Sequence, residues 1–504
     1  MKIAIYDIES TGAITEWSSI IEIGGVLIDE NFKEIDRFNL RGRIPEGEIP
    51  QAKALLVNGT TIDQLTKSNL SNYMLLDQVE KIFKKWSPAI FMGFSNINFD
   101  CELIRKSFFK NLRYPYITNA SPNKRHDALN IIRAAYGVNP KILKTELNEK
   151  GNVSMKLESL SRLQGFDVSA AHTAQVDAIN TYKILKLVKE KSKPELWPSL
   201  LRTYSKADTE TIFKKEQMIT LVEYYYGKNK FHLCAPLHPK YCIHPVYQWG
   251  QAVDLRVDPV PLLNMSINEL KVEMKKSPKF LRTIRSNKAP VILDAEEGMK
   301  FEPYNVMTTD LLKKRAELIR TNEKFSQNIL TALRENAEEK EQTKSQEDIY
   351  AEESIYTKFT SNKDTALFPA WHAASWKDKL KLLDKLLEYG VQYYNQFILP
   401  EKKYRPATQR EKDGFKQIIV FLKSVSDDLE AEDDDDSANE SWIREMKELE
   451  KEMQEEADEG ENCADDYNEA DEKYSMELEE MFEFDEADEA EEGENCGGKE
   501  NKVF

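Results

Sequence analysis

The 504-residue sequence is poor in cysteine, with five, and has no run of 18 apolar residues. Five cysteines in a chain of this length do not suggest a disulfide framework. A reducing, cytoplasmic setting is therefore expected. Without such an apolar run, neither a transmembrane helix nor a membrane partner is expected. The first seven residues include a lysine within their apolar run and no small-residue cleavage site. They are therefore predicted to form a first strand and not a signal peptide.

Charge is unevenly distributed along the chain. The net charge of −18 combines a segment from 427 to 504, with 35 Asp/Glu and 6 Lys/Arg, and a remainder of net charge +11. A basic body suits a polyanionic partner, although an ordinary solvated surface would also explain so small an excess. The acidic segment is poor in aliphatic residues, which is typical of disorder.

Hydrophobic patterning divides the chain into four parts. Residues 1–193 form an α/β domain with a mixed sheet, and residues 200–345 are rich in predicted β-strands. Residues 348–425 are helical, and 426–504 form the acidic tail with short amphipathic helices. The strands predicted in the first domain are 3–9, 20–29, 34–40 and 89–93. Its predicted helices are 61–65, 75–86, 99–111, 127–136, 156–164 and 176–191. Later segments are strands 230–235 and 251–257 and helices 309–334, 376–390 and 411–424.

Acidic side chains lie where predicted strands end and helices begin. Asp7 and Glu9 are two positions apart on one strand, so both point to the same face. A hard cation with oxygen ligands would relieve their mutual repulsion. Asp100 follows a loop at the start of a helix, and by itself it would be an N-cap. His172 is predicted in a loop, five residues before Asp177, which by itself would be a first-turn acid favoured by the helix dipole.

Together these segments resemble the Asp-Glu-Asp-Asp-His superfamily of 3′→5′ exonucleases. The matching segments are Asp7-Ile8-Glu9-Ser10-Thr11-Gly12, Asn96 with Phe99-Asp100, and His172-Thr173-Ala174-Gln175-Val176-Asp177. Later segments are similar to the exonuclease I family, which narrows the resemblance. They are Arg125-His126-Asp127-Ala128-Leu129, Ala235-Pro236-Leu237-His238-Pro239, Ala252-Val253-Asp254-Leu255, Ala289-Pro290-Val291-Ile292-Leu293 and Glu353-Ser354-Ile355-Tyr356.

The resemblance implies an RNase H-like exonuclease domain, an SH3-like domain and a helical C-terminal domain. It implies hydrolysis of single-stranded DNA to 5′-mononucleotides in DNA repair and recombination, with two Mg²⁺ ions for which Mn²⁺ can substitute. Asp7, Glu9 and Asp177 would hold one ion, and Asp7 and Asp100 the other. Neutral His172 would take a proton from the attacking water.

The resemblance also implies a set of substrate-binding residues. They are Glu9, Asn96, Arg105, Tyr116 and Lys156, which would contact the strand by phosphate binding and base stacking. Lys156 stands where the family usually has arginine, so a bidentate contact with phosphate would be lost. A surface charge or a packing role is the alternative for the last four of these residues.

Several alternatives remain open on the sequence. The function could be that of a 3′→5′ exoribonuclease, or of a non-catalytic acidic-tailed factor that processes nucleic acid. A cluster of His232, Cys234, His238, Cys242 and His244 could bind zinc, although its spacing matches no familiar zinc module.

The acidic tail also allows more than one interpretation. It could be a solubilising extension, an inhibitor that competes with DNA, or a contact for single-strand-binding protein. Its end, Lys502-Val503-Phe504, could also mimic the tip of that protein's tail. Apolar residues at helical spacing occur at Trp442, Ile443, Met446, Leu449 and Met453. A monomer is expected.

Overall fold

The computed structural model describes most of the chain up to residue 343 and short segments beyond it. The described residues are 1–45, 48–148, 150–168, 173–225, 227–343, 355–356, 362–375, 378, 444, 447–449 and 451. The predicted helices at 376–390 and 411–424, and most of the acidic tail, lie outside them. Within the described part of the chain, no helix has the length and apolar character needed to cross a membrane.

The first domain is built on a mixed sheet of six strands in the order β4-β3-β2-β1-β5-β6. β1 lies at its centre, antiparallel to β2 and parallel to β5. β1 and β2 are buried on both faces of the sheet, which explains their nearly continuous apolar sequences. The strands are β1 (Lys2–Ser10), β2 (Ile20–Ile28), β3 (Glu34–Arg43), β4 (Leu70–Ser71), β5 (Ala89–Met92) and β6 (Lys124–Arg125).

Helices cover both faces of this sheet. Ile3 and Ile5 of β1 pack with helices α5 and α7 on one face. Ala4 and Tyr6 pack with α3 and α4 on the other. The helices are α1 (Ala52–Asn58), α2 (Ile62–Lys67), α3 (Asn72–Trp86), α4 (Asp100–Lys110), α5 (Ala128–Val138), α6 (Leu157–Leu163), α7 (Ala174–Lys191) and α8 (Leu196–Leu200), with a 3₁₀ turn at Pro140–Ile142. The α/β domain with a mixed sheet is therefore confirmed.

A second sheet follows, with five antiparallel strands in the order β10-β9-β8-β7-β11. Its strands are β7 (Ile219–Tyr225), β8 (Lys228–Pro236), β9 (Gly250–Asp254), β10 (Leu281–Ile284) and β11 (Val291–Asp294). Short helices accompany it, namely α9 (Lys206–Lys215), α10 (Pro259–Leu263), α11 (Ile267–Met274) and α12 (Ala295–Gly298), with 3₁₀ turns at Ser286–Lys288 and Tyr304–Val306. The β-rich character is confirmed, while the SH3-like topology stays a prediction.

The long helix predicted at 309–334 is two helices, so that prediction was wrong in its continuity. α13 (Thr309–Thr321) ends at Asn322, and α14 (Glu323–Thr343) begins directly after it. The Asn322 side chain accepts a hydrogen bond from the backbone N–H of Phe325. Asparagine competes for backbone donors in this way, and so favours a helix boundary over a helix interior.

Parts of the chain after α14 return to the first domain. In α15 (Asn362–Ala373), His372 Nδ1 lies 2.6 Å from the hydroxyl of Tyr73 on α3. Tyr356 donates a hydrogen bond to Glu102 on α4. Leu449, in the first third of the acidic tail, is buried against β2, α1 and α2. The first domain therefore contacts segments from both the helical region and the tail.

Candidate active site

Asp7 and Glu9 lie near the C-terminal end of the central strand β1. Asp7 is opposite Gly24 and Glu9 is opposite Glu22 in the antiparallel pairing with β2. Side chains alternate along a strand, so both carboxylates share the face on which Ile3 and Ile5 pack against α7. The acidic pair therefore points toward the helix that carries Asp177.

Asp177 lies in the first turn of α7, and Gly24 permits the approach of this helix. A Cβ placed on Gly24 would lie 2.3 Å from the backbone nitrogen of Gln175 and 2.4 Å from its Cα. Any residue larger than glycine would therefore push the start of α7 away from the sheet. The glycine was missed by sequence reasoning, although a glycine inside a strand is a known signal of close backbone approach.

Three carboxylates meet at this point. Ligand oxygens of Asp7, Glu9 and Asp177 all lie within 4.8 Å of one another, and all three residues are partly buried. Burial is the main cause that raises the pKa of Asp7 well above 3.8, followed by the charges of Asp100, Asp177 and Glu9. Burial likewise raises the pKa of Glu9 well above 4.5, followed by Asp177 and Glu22. Such a concentration of negative charge, all of it on oxygen atoms, fits a hard divalent cation.

Asp100 lies near these carboxylates, since its charge raises the pKa of both Asp7 and Glu9. It is the first residue of α4 and is buried, and it is the strongest charge acting on Asp7. The loop before it is tied to α5, because the backbone N–H of Ile97 donates to Asp127, which also caps α5. The Lys288 ammonium of the second sheet domain donates to Asn98 in this loop at 3.1 Å. Both domains therefore position the loop that presents Asp100.

His172 lies outside the described residues, so its role stays a prediction. The following residue, Thr173, is the N-cap of α7, and Asp177 is in the first turn of that helix. The histidine therefore directly precedes the helix that brings Asp177 to the acidic cluster.

A buried ion pair lies beside Glu9. Glu22 is 2% exposed, and its carboxylate accepts a hydrogen bond from Arg41 on β3. Arg41 also donates to the hydroxyl of Thr60 at 3.2 Å, and its charge lowers the pKa of Glu9. Sequence reasoning missed this pair because it depends on the register of three strands. Arg41 neutralises the charge of Glu22. The charge of the acidic cluster itself is left to be neutralised by a cation.

Replacement of Arg41 by methionine is expected to lower the free energy of unfolding of the metal-free protein by about 3 kcal/mol. The reason is that Glu22 would remain buried without its counter-charge, next to Glu9. Chemical denaturation in the presence of a chelator measures the effect. Restoring most of that loss in the double variant R41M/E22Q would assign it to the unpaired carboxylate.

Arg37 provides a matched control on the same strand. It pairs with Glu34, but its side chain is 50% exposed, so R37M is expected to cost less than about 1 kcal/mol. Equal losses in R41M and R37M would contradict a special role for the buried pair.

The predicted substrate-binding residues have different surroundings. Asn96 is fully buried, and neither polar atom of its side chain has a hydrogen-bond partner in the described part of the chain. Arg105 is 2% exposed and donates to Glu102 and to Tyr356, each at 2.9 Å. Its guanidinium lies 5.2 Å from the ring centre of Tyr116, which is also buried. Lys156 is the exposed N-cap of α6.

Glu102 shows how strongly the positive charges around Arg105 act. Burial by itself would raise the pKa of this carboxyl, but Arg105, Lys106 and Tyr356 lower it to about 2. Arg105 therefore lies in a buried charge network that joins α4 to a later segment of the chain. A role in packing and a role toward substrate are both compatible with this position.

The histidine and cysteine cluster has structural partners. The ring nitrogens of His232 lie 3.2 Å from Asp254 and 3.1 Å from Glu223. Burial opposes protonation of this ring, but the two carboxylates raise the pKa of His232. Cys234 and Cys242 are buried. In the described part of the chain, the acidic trio is the single group of three residues with metal-ligand spacing, so the structure does not assemble a zinc site here.

Comparison with known proteins shows which proteins this chain is similar to. The exonuclease family model (RNase_T) matches residues 4–185, the domain that holds the carboxylates. Exodeoxyribonuclease I of Haemophilus influenzae is 25% identical over 78% of this chain and 83% of its own length. The Escherichia coli protein of the same name is 25% identical over 76% and 82%. An E. coli exonuclease I structure with a dT13 oligonucleotide has a TM-score of 0.63 at 19% identity, covering 96% of this chain and 98% of that one. The similarity to exonuclease I proteins thus extends well beyond the domain that holds the carboxylates.

Proposed function

We propose that the protein is a 3′→5′ exodeoxyribonuclease that hydrolyses single-stranded DNA to 5′-mononucleotides in DNA repair and recombination. The observation that carries the proposal is the meeting of Asp7, Glu9 and Asp177, with Asp100 beside them, in an exonuclease fold. Burial and neighbouring acids raise the pKa values of Asp7 and Glu9, and carboxyl groups perturbed in this way are concentrated at functional sites.

Mg²⁺ is the cation proposed for this site, with Mn²⁺ as a substitute. Asp7, Glu9 and Asp177 would hold one ion, and Asp7 and Asp100 a second. Two such ions, when bound, favour attack by water and stabilise the leaving oxygen of a phosphodiester. His172 accepts the proton of the attacking water, since a neutral imidazole is a suitable base near pH 7. Asp127, through Ile97, and Lys288, through Asn98, hold the loop in place.

DNA is proposed as the substrate because the similarity to exodeoxyribonucleases extends beyond the catalytic domain. Relatives called exodeoxyribonuclease I align over 419 and 415 residues, which includes the second sheet domain. A similar structure contains a DNA oligonucleotide. An exonuclease domain by itself would suit RNA equally well, because the hydrolytic chemistry is the same.

Asn96 and Lys156 are the substrate-binding candidates that their surroundings support best. A buried amide needs a hydrogen-bond partner, and the described protein offers none to Asn96. Lys156 is exposed at the start of α6, where a phosphate can reach it. Glu9 is proposed to contact the terminal nucleotide as well as the cation. Arg105 and Tyr116 are proposed to contact the DNA strand from the side of their charge network that faces it.

Replacement of Lys156 by alanine is expected to weaken binding of a single-stranded oligonucleotide and to make it less sensitive to salt. Loss of one phosphate contact should reduce the slope of log affinity against log salt concentration by about 0.7. Fluorescence anisotropy without divalent cations measures the slope. Lys81, exposed on α3 and paired with Asp77, is the control, and K81A should leave the slope unchanged. Identical slopes for wild type and K156A would contradict the phosphate contact.

The proposed activity is tested with end-labelled single-stranded DNA, single-stranded RNA and duplex DNA of one sequence, each with Mg²⁺. Release of mononucleotides from the 3′ end of single-stranded DNA is expected, with little from RNA or duplex. Preferential digestion of RNA would favour an exoribonuclease. Absence of any digestion, with wild type matching an Asp7→Asn variant, would favour a non-catalytic factor.

The variants H172A and D177A are expected to abolish turnover in this assay without loss of fold. Only D177A should also lose stabilisation by Mg²⁺, because His172 is proposed as a base and not as a cation ligand. Normal nuclease activity in either variant would refute the assignment.

We also propose contact with single-strand-binding protein through the tail. A structurally similar exonuclease I structure includes SSB. Calorimetric titration of single-strand-binding protein tests this contact. One titration uses the full chain, and the other uses a chain that ends at residue 451. Equal affinity for both chains would exclude residues 452–504 from the contact.

A further inference from the structure

A small apolar patch of the exonuclease domain lies next to β2. It consists of buried residues from β2, from the segment after β3, and from the two short helices, and we call it the α1–α2 patch. Its members are Ile21, Ile44, Ala52, Leu55 and Leu65, with half-buried Ile62 at its edge. Leu449 lies in this patch and is only 4% exposed.

The sequence around Leu449 is suited to docking. Residues 444, 447–449 and 451 are helical. Trp442, Met446, Leu449 and Met453 follow helical spacing and are predicted to share one face. The described side chains Arg444, Lys447 and Glu448 are exposed, as expected for the opposite face. Leu449 therefore belongs to the apolar side of an amphipathic helix.

The patch is directly connected to the active-site strand. The backbone N–H of Gln51, which precedes α1, donates to the carbonyl of Thr11 at 2.8 Å. The Asn58 amide at the end of α1 donates to the carbonyl of Ser10 at 3.2 Å. Ser10 follows Glu9, so α1 holds the segment that leaves the acidic cluster. A helix docked on α1 lies beside the exonuclease site.

The charge of the residues after this helix determines how docking affects DNA binding. Residues 452–504, which follow the described part of this helix, contain 23 Asp/Glu and 3 Lys, a net charge of −20. Residues 1–426 have a net charge of +11. A tethered polyanion of this kind reaches an effective concentration of order mM near its anchor. It repels a second polyanion and competes for the same basic groups.

We propose that the helix bearing Leu449 docks on the α1–α2 patch of its own chain and anchors the acidic segment beside the exonuclease site, where it restrains binding of DNA. The docking itself is independent of the enzymatic activity. The restraint on DNA rests on the proposed function.

Docking is tested by hydrogen exchange on the full chain. The variant L449D is expected to speed exchange at least about tenfold in peptides that cover α1 and α2. I62D should have the same effect from the other side, because an aspartate suits the first turn of α2 while its charge opposes docking. E448Q, a change on the exposed face, should leave exchange as in wild type. Unchanged exchange in L449D, or protection that disappears on dilution, would overturn docking within one chain.

The restraint is tested by anisotropy with a single-stranded oligonucleotide in an Asp7→Asn background, so that DNA is not cut. A chain ending at residue 451 is expected to bind at least about tenfold more tightly than the full chain at low salt. The difference should shrink as salt screens the tail. L449D in the full chain should recover part of the gain. Equal affinities of the two chain lengths at low salt would overturn the restraint, while absence of DNA binding in every variant would overturn the proposed function and leave the exchange result standing.

Discussion

Replacement of Asp7 by asparagine is expected to abolish turnover and, at the same time, to raise the melting temperature of the metal-free protein. Burial, Asp100, Asp177 and Glu9 all disfavour the ionised form of Asp7. A neutral amide of the same shape removes this repulsion, which stabilises the fold. It also removes a ligand that both proposed cations share, so kcat should fall at least about 10³-fold, or roughly 4 kcal/mol in the barrier.

The same repulsion predicts a pH dependence with a definite sign. The folded-state pKa values of Asp7 and Glu9 are raised above the ordinary values of 3.8 and 4.5. A raised carboxyl pKa means that the folded state binds more protons than the unfolded state. The contribution of these groups to stability is therefore fully present below their unfolded pKa values, and it is lost as pH rises through the folded ones. Metal-free protein should become less stable from about pH 4 upward through this range.

Calorimetry at a series of pH values, with chelator and with Mg²⁺, measures both effects. Mg²⁺ binds the ionised carboxylates, so it should reverse the loss at neutral pH. Other groups, such as Glu102 with its pKa of about 2, change stability equally in wild type and D7N. The difference between the two proteins therefore isolates the acidic cluster. A metal-free D7N protein less stable than wild type at neutral pH would contradict the repulsion argument.

The sequence predicts the central elements of the catalytic domain well, because each has a strong local pattern. β1, β2 and α7 are found within a few residues of the predicted 3–9, 20–29 and 176–191. The alternation of side chains on β1 places Asp7 and Glu9 on one face without knowledge of any other strand. Two-residue strands such as β4 and β6 have no periodicity to detect and were not predicted.

Features that depend on strand register or on contacts between distant residues could not be predicted from the sequence. Glu22 and Arg41 look like ordinary strand charges until the ladder places them opposite each other and next to Glu9. Leu449 was recognised as part of an amphipathic pattern, but its partner surface lies some 400 residues earlier. Helical spacing shows that a face is apolar and does not show what covers it.

Gly24 is the position where one added methyl group is expected to disable the site. A Cβ there would lie 2.3 Å from the nitrogen of Gln175 and 2.6 Å from the carbonyl carbon of Ala174. These are backbone atoms, so no side chain can rotate away, and α7 must shift outward. Asp177 moves with the helix. A displacement of about 1 Å in a site of this kind can cost about 10²-fold in rate.

The variant G24A is thus expected to lose at least about 100-fold in kcat and most of its stabilisation by Mg²⁺, for a destabilisation of only about 1–3 kcal/mol. Leu27 lies on the same strand but packs on the opposite face of the sheet, with buried residues of α3 and α4. L27A should therefore cost about 2–5 kcal/mol through a cavity, yet keep its response to Mg²⁺ and most of its activity. The two variants separate loss of stability from loss of geometry, since the less destabilised protein should be the less active one. Wild-type kcat in G24A would show that the distance between α7 and β2 does not position Asp177.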